Sequence, residues 1–183
     1  MSVISSPLGQ TSFAKVSLKG KNLALARSGT ACQPHAMSKP KKPIIHVNAA
    51  CACGATEMSI NGPCVSMFMC SCLDCQRATG TGHSTIALVP AGAFGLAGKA
   101  KAFDRPSDSG ATFTRHFCPD CGTPLYGQSS RAPDIRMIPV GFFAGQNDWY
   151  APNQLIFSRS QQVWDLVADH LPRHVTYREG SGS

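Results

Sequence analysis

A mainly β fold with little helix is what this sequence of 183 residues predicts. Two observations carry that expectation. Short apolar runs of four to seven residues recur along the chain, separated by Gly, Pro, Asn and Asp, the punctuation of strands and tight turns. Only one segment spaces its apolar side chains with the 3.6-residue period of a helix.

Taken in order, Ala55–Ile60 is read as a strand between Gly54 and the turn pair Asn61-Gly62, and Val65–Met69 as a second after Pro63. His83–Val89, rich in β-branched residues, runs from Gly82 to Pro90. Ala111–Phe117 follows the turn Asp108-Ser-Gly110, Ile135–Val140 is bounded by Asp134 and Gly141, and Gln154–Phe157 follows Pro152-Asn153. The helical candidate is Gln161–His170, with Val163, Trp164 and Val167 at helical spacing; a strand with a turn is its alternative. No internal repeat is present. The longest apolar stretch, Ile86 to Gly98, is interrupted by Pro90 and three glycines, so no membrane span is expected.

The net charge of +7 belongs to one end of the chain. Residues 1–46 hold Lys15, Lys19, Lys21, Arg27, Lys39, Lys41 and Lys42 and no acid, which leaves ten basic and ten acidic side chains for the rest. A nucleic-acid-binding domain carries its basic excess on the folded part, where it meets phosphates in register. Here that part is formally neutral, and nucleic acid is set aside. Residues 1–43, rich in Ser, Ala, Lys, Gly and Pro and ending in Lys39-Pro-Lys-Lys-Pro43, are expected to be a disordered basic leader. Such a leader has the composition of an organelle transit peptide, while Met37 would serve equally as the start of a cytoplasmic chain. The domain is expected over residues 44–175, with a frayed tail at 176–183.

Seven of the nine cysteines fall in three tight clusters: Cys51-x-Cys53, Cys70-x-Cys72-x-x-Cys75 and Cys118-x-x-Cys121. In Cys118-Pro-Asp-Cys121-Gly122 the spacing lets two sulfurs converge on one ion, and the glycine permits the tight turn. Cys51-Ala-Cys53-Gly54 supplies a second pair. Together they make a four-thiolate site that joins the two ends of the β-domain and contributes to folding. The triplet is local enough to face a second ion alone. Two closed tetrahedral sites need eight ligands, so this site is one ligand short, and an open position is what separates catalytic from structural zinc. A thiol arriving there would lose its proton and remain nucleophilic. Closure by Cys64 or by His83 is the structural alternative, and iron–sulfur ligation is compatible with the count. Disulfides fit this odd, closely spaced set poorly.

Cys51-Ala-Cys53-Gly54, Cys70-Ser-Cys72-Leu-Asp-Cys75-Gln-Arg77-Ala-Thr-Gly80 and Phe117-Cys118-Pro-Asp-Cys121-Gly122-Thr-Pro-Leu125, followed by Pro152 and Trp164, stand in an order that resembles the glutathione-dependent formaldehyde-activating enzyme family, which includes centromere protein V. The resemblance covers about residues 46–172. It implies compact zinc-bound antiparallel β-sheets, with Cys51, Cys53, Cys118 and Cys121 on a structural zinc and Cys70, Cys72 and Cys75 on a catalytic one. It also implies a carbon–sulfur lyase of the S-(hydroxymethyl)glutathione synthase type, with glutathione and a small aldehyde, formaldehyde, as partners. A cytoplasmic location follows unless the leader is a transit peptide.

Other residues carry two readings each. His83 is the candidate proton donor for the hemithioacetal, or a hydrogen-bonded residue opening a strand. Arg77, beside the triplet, would hold a substrate carboxylate bidentately or pair with Asp74 or Asp120; the same choice applies to Arg115. Trp149 and Trp164 are expected to pack. Cys64 is expected to be a buried small hydrophobe. Where many members of the family carry Gly-x-Leu-Asp, this chain reads Gly141-Phe-Phe-Ala-Gly145, and Phe142 and Phe143 would make the pocket less suited to polar glutathione. Thiols add to formaldehyde unaided, which keeps open a different thiol or aldehyde. A non-enzymatic zinc module with the leader as a docking arm is the competing class.

Overall fold

The structure is a computed structural model, and it describes residues 42–178. Ten strands and one α-helix follow in chain order: β1 Ile44–Ala50, β2 Thr56–Pro63, β3 Ser66–Cys70, α1 Leu73–Thr79, β4 Ser84–Pro90, β5 Phe94–Gly98, β6 Lys101–Pro106, β7 Thr112–Phe117, β8 Pro124–Ser129, β9 Ala132–Pro139 and β10 Leu155–Ile156. They form two sheets, β1-β2-β5 and β10-β3-β4-β9-β8-β7-β6. The fold is mainly β, as the sequence predicts. All pairings are antiparallel except β10 with β3, which is parallel. No helix among the described residues is long and apolar enough to cross a membrane.

Alternation sorts the side chains of the larger sheet onto two faces. One face packs on the small sheet: Ala87 and Val89 of β4 and Ile138 of β9 meet Ile45 and Val47 of β1 and Met58 and Ile60 of β2 in a single buried cluster. Val140 and Phe143 complete that core. Phe143 is fully buried there, so the Phe142-Phe143 segment packs the core and does not line the substrate pocket as its sequence suggested. Trp149 packs against the same cluster and donates its indole N–H to the Gln146 carbonyl at 2.8 Å. Cys64 is buried and shares its thiol with the carbonyls of Ser66 and Leu88.

The opposite face is the floor of a cavity, and the sheet must curl to enclose it. β3 and β6 are five ladder positions apart, about 24 Å in a flat sheet at roughly 4.8 Å per strand. Yet Arg105 of β6 reaches Asp74 of α1, immediately after β3, at 2.9 Å. A second pair, Arg159 with Asp108 at 2.7 Å, ties the segment after β10 to the turn between β6 and β7. Two ion pairs therefore join the opposite margins of one sheet.

The segment 161–170 is not a helix. Val163 is 96% and Trp164 64% exposed, while Val167 is buried with Leu155 and Leu171, so the three do not form one packed stripe and Trp164 is not the packing residue expected. The segment docks through Val167 and through polar contacts around it. Gln76 of α1 donates to the Ser160 carbonyl at 2.7 Å, and Asp165 meets His83. In the tail, the Thr176 carbonyl accepts from the Phe157 N–H and the Tyr177 ring stands edge-on to Phe157.

Gly98 closes β5 at φ +100, where a Cβ would run into the Ala55 carbonyl oxygen and lie 2.9 Å from the Thr56 Cα. Both obstacles are backbone and cannot swing away. Gly98→Ala is expected to lower stability by about 2 kcal/mol through strain and clash. An unchanged guanidinium midpoint would show that the β2–β5 edge yields at no cost.

Candidate functional site

Two groups of thiols are assembled, and both follow from how the chain turns. Cys51 and Cys118 each open a tight turn of the same design. The Cys51 N–H donates to the Thr56 carbonyl and the Gly54 N–H to the Cys51 carbonyl; the Cys118 N–H donates to Thr123 and the Gly122 N–H to Cys118. Gly54 and Gly122 sit at φ +78 and +72, a region that glycine enters without strain. The turns at the ends of β1 and β7 thus bring together Cys51, Cys53, Cys118 and Cys121, with all four sulfurs within 4.8 Å of one another. The Sγ atoms of Cys51 and Cys53 are 3.5 Å apart, and those of Cys53 and Cys118 are 3.7 Å apart. Tetrahedral ligands about 2.3 Å from zinc stand roughly 3.8 Å from each other, so this donor set fits zinc in number, chemistry and spacing. The Thr123 hydroxyl, 3.1 Å from the Cys121 sulfur, brings that thiol down to about 6.

The triplet is built by the passage from β3 into α1. Cys70 ends the strand, Cys72 is the N-cap whose sulfur accepts from the Cys75 N–H at 3.4 Å, and Cys75 lies in the first turn. Gly80, at φ +69, stops the helix after two turns. The three sulfurs lie within 4.8 Å of one another, and among the described residues no fourth Cys, His, Asp or Glu joins them. Cys64 and His83, the two side chains that could have closed this site, are therefore outside it. The Cys72 thiol is held far below its ordinary range because Cys70 and Cys75 donate to its sulfur and the Arg105 guanidinium lies nearby. Three thiols that share their protons in this way make a donor set that fits a divalent soft metal and leaves one tetrahedral position to an incoming ligand.

All three of these cysteines line the cavity over the large sheet, which measures about 810 Å³. Its floor is apolar, with Phe68, Ile86, Leu88, Phe113 and Met137, and Arg105 and Arg115 also face it. Arg105 is 18% exposed, lies over the Phe113 ring at 4.9 Å and donates to Asp74 and to the Pro106 carbonyl. Ser84, paired across the strands with Cys70, lines the same wall, and its buried hydroxyl faces the Cys75 thiol.

Of the residues singled out by sequence, the structure brings the seven cysteines together in the expected partition. Arg77 is 74% exposed, pairs with Asp74 at 3.4 Å and does not line the cavity. His83 also lies outside the lining; its Nδ1 is 2.9 and 2.8 Å from the two carboxylate oxygens of Asp165. Arg115 does line it. Sequence reasoning missed Arg105, because its place beside the triplet depends on the curl of the sheet, and Ser84, whose position was readable only once β4 was registered against β3.

Comparison with known proteins points the same way. The family model described as "Glutathione-dependent formaldehyde-activating enzyme" matches residues 46–160. A Penicillium rubens protein named "Putative glutathione-dependent formaldehyde-activating enzyme" is 30% identical over 86 residues, 47% of this chain and 44% of that protein, so the chain spans less than half the length of this curated relative. A crystal structure of a Rhodobacter sphaeroides protein superposes with a TM-score of 0.45 at 17% identity, covering 56% of this chain and 93% of that one.

Proposed function

This chain belongs to the glutathione-dependent formaldehyde-activating enzyme family, and we propose from that premise that it is a zinc-dependent carbon–sulfur lyase joining glutathione to formaldehyde. The observation that carries the reading is the triplet Cys70, Cys72 and Cys75 on the wall of a cavity, with no fourth ligand among the described residues. Cys51, Cys53, Cys118 and Cys121 would hold a structural zinc. The triplet would hold a second, which when bound favours the thiolate form of an incoming thiol.

The remaining work falls to the chain itself. Arg105 and Arg115 face the cavity as carboxylate partners for the tripeptide, Arg105 held in place by Asp74. Substrate sulfur adds to the carbonyl carbon, and the developing alkoxide meets the Ser84 hydroxyl, a buried donor beside the triplet. We assign His83 to positioning: its bond to Asp165 ties the turn before β4, and so Ser84, to the segment 161–170. Arg77, exposed and paired with Asp74, is left a supporting role in that ion-pair cluster. Thiolate ligation of this kind belongs to a reducing compartment, the cytoplasm in our reading.

Elemental analysis of protein purified without chelator is the first test. Close to two zinc ions per chain is expected, with added glutathione changing the retention of one. One tightly held metal indifferent to glutathione, together with no turnover of S-(hydroxymethyl)glutathione, would make this a non-enzymatic zinc module.

A further inference from the structure

Formaldehyde contributes one carbon to a thiol adduct and fills about the space of one or two waters, roughly 30 Å³ each. The cavity is about 810 Å³. Ligand pockets run from roughly 300 to 1,000 Å³, and this cavity, partly open to solvent, lies toward the upper end of that range, more room than a one-carbon addition to the thiol calls for.

Register shows what surrounds the excess. Beyond the Cys70–Ser84 pair, the next row across the floor is Phe68–Ile86–Pro139, and the row after it contains Leu88 paired with Met137. Rows two residues apart on a strand lie about 7 Å from each other. An apolar floor therefore extends from about 7 to about 13 Å from the triplet, across β3, β4 and β9. The guanidinium groups that line the cavity stand outside these rows: Arg105 on β6, Arg115 on β7, Arg131 in the turn between β8 and β9, and Arg178 in the tail. The rows on β3, β4 and β9 thus carry no cationic side chain that lines the cavity, while Phe113 of β7 lies under Arg105, and a one-carbon aldehyde attached at the sulfur would not reach along those rows.

We propose that this site is built for thiol adducts that carry an apolar group of about six carbons, aliphatic or aromatic, on the sulfur, with Phe68, Ile86, Leu88 and Met137 as its binding surface. The proposal rests on the thiol-adduct reading above and names the aldehyde class. Its chemistry is the same addition: the sulfur lone pair forms the C–S bond, the carbonyl π bond opens onto oxygen, and that oxygen takes up the proton that the thiol gave up. Nothing is oxidised or reduced.

The test is calorimetric titration of the zinc-loaded full chain with S-methylglutathione and S-hexylglutathione, two stable stand-ins for the adduct. Each methylene buried on the floor strengthens binding by roughly fourfold. S-hexylglutathione is expected to bind at one site per chain and at least thirtyfold more tightly. Equal affinities for the two probes would overturn the proposal. Turnover of formaldehyde, measured separately, reports on the lyase reading: activity with equal affinities leaves the lyase standing and removes only the apolar subsite.

Discussion

Replacing Cys72 by serine is expected to abolish lyase turnover, by about a thousandfold or more, while the domain keeps its fold and its four-thiolate metal. A thousandfold corresponds to roughly 4 kcal/mol of transition-state stabilisation. Serine suits this position for a physical reason. Cys72 is the N-cap of α1 and its sulfur accepts the Cys75 N–H, a task that a serine oxygen performs as well or better. The helix is therefore preserved and only the soft ligand is lost. Zinc content should fall from two to one with an unchanged circular dichroism spectrum. Retained turnover with one zinc would remove the triplet from the chemistry; loss of the whole fold would make it structural.

The opposite result is expected from Cys118→Ala. This residue is fully buried in the main core cluster, and its sulfur reaches Cys53 across 65 residues of sequence. Binding of a structural zinc contributes on the order of 10 kcal/mol or more to folding, comparable with the whole stability of an ordinary domain. Removing one ligand should leave a protein with no cooperative thermal transition at 25 °C and above, and chelation of wild type should do the same more slowly. A chelated protein that still melts cooperatively near the wild-type temperature would refute the structural assignment.

How far the sequence could be read depended on whether the signal was local. Cysteine partition was legible because each cluster spans only a few residues and glycine marks both knuckles. β2, β3, β4, β7, β9 and β10 were anticipated to within a few residues, since each is an apolar run between turn residues. β5 and β8 were missed: Phe94-Gly-Leu-Ala-Gly98 and Pro124-Leu-Tyr-Gly127 contain the glycines and proline that normally punctuate strands. β6 was missed because it is a charged, exposed edge strand. α1 is two turns long with no buried residue, too short to show a period. The supposed helix at 161–170 failed for the reverse reason: its period is there, but only Val167 of the three finds a surface while Val163 and Trp164 stay exposed. Arg105 and Ser84 had no sequence signal, because their roles arise from partners more than ten residues away.

The two arginine–aspartate pairs that join the margins of the large sheet have a mechanical consequence. From β3 to β6 the wall of the cavity is a ladder of backbone hydrogen bonds, and parting any two neighbouring strands there breaks several at once. At the seam side-chain pairs hold, among them Arg105 with Asp74 and Arg159 with Asp108, the latter pair half-exposed on both sides. The exposed Arg159–Asp108 pair contributes at most about 1 kcal/mol and weakens in salt. Along that seam the margins of the sheet are fastened by charge, and parting them there breaks no strand pairing.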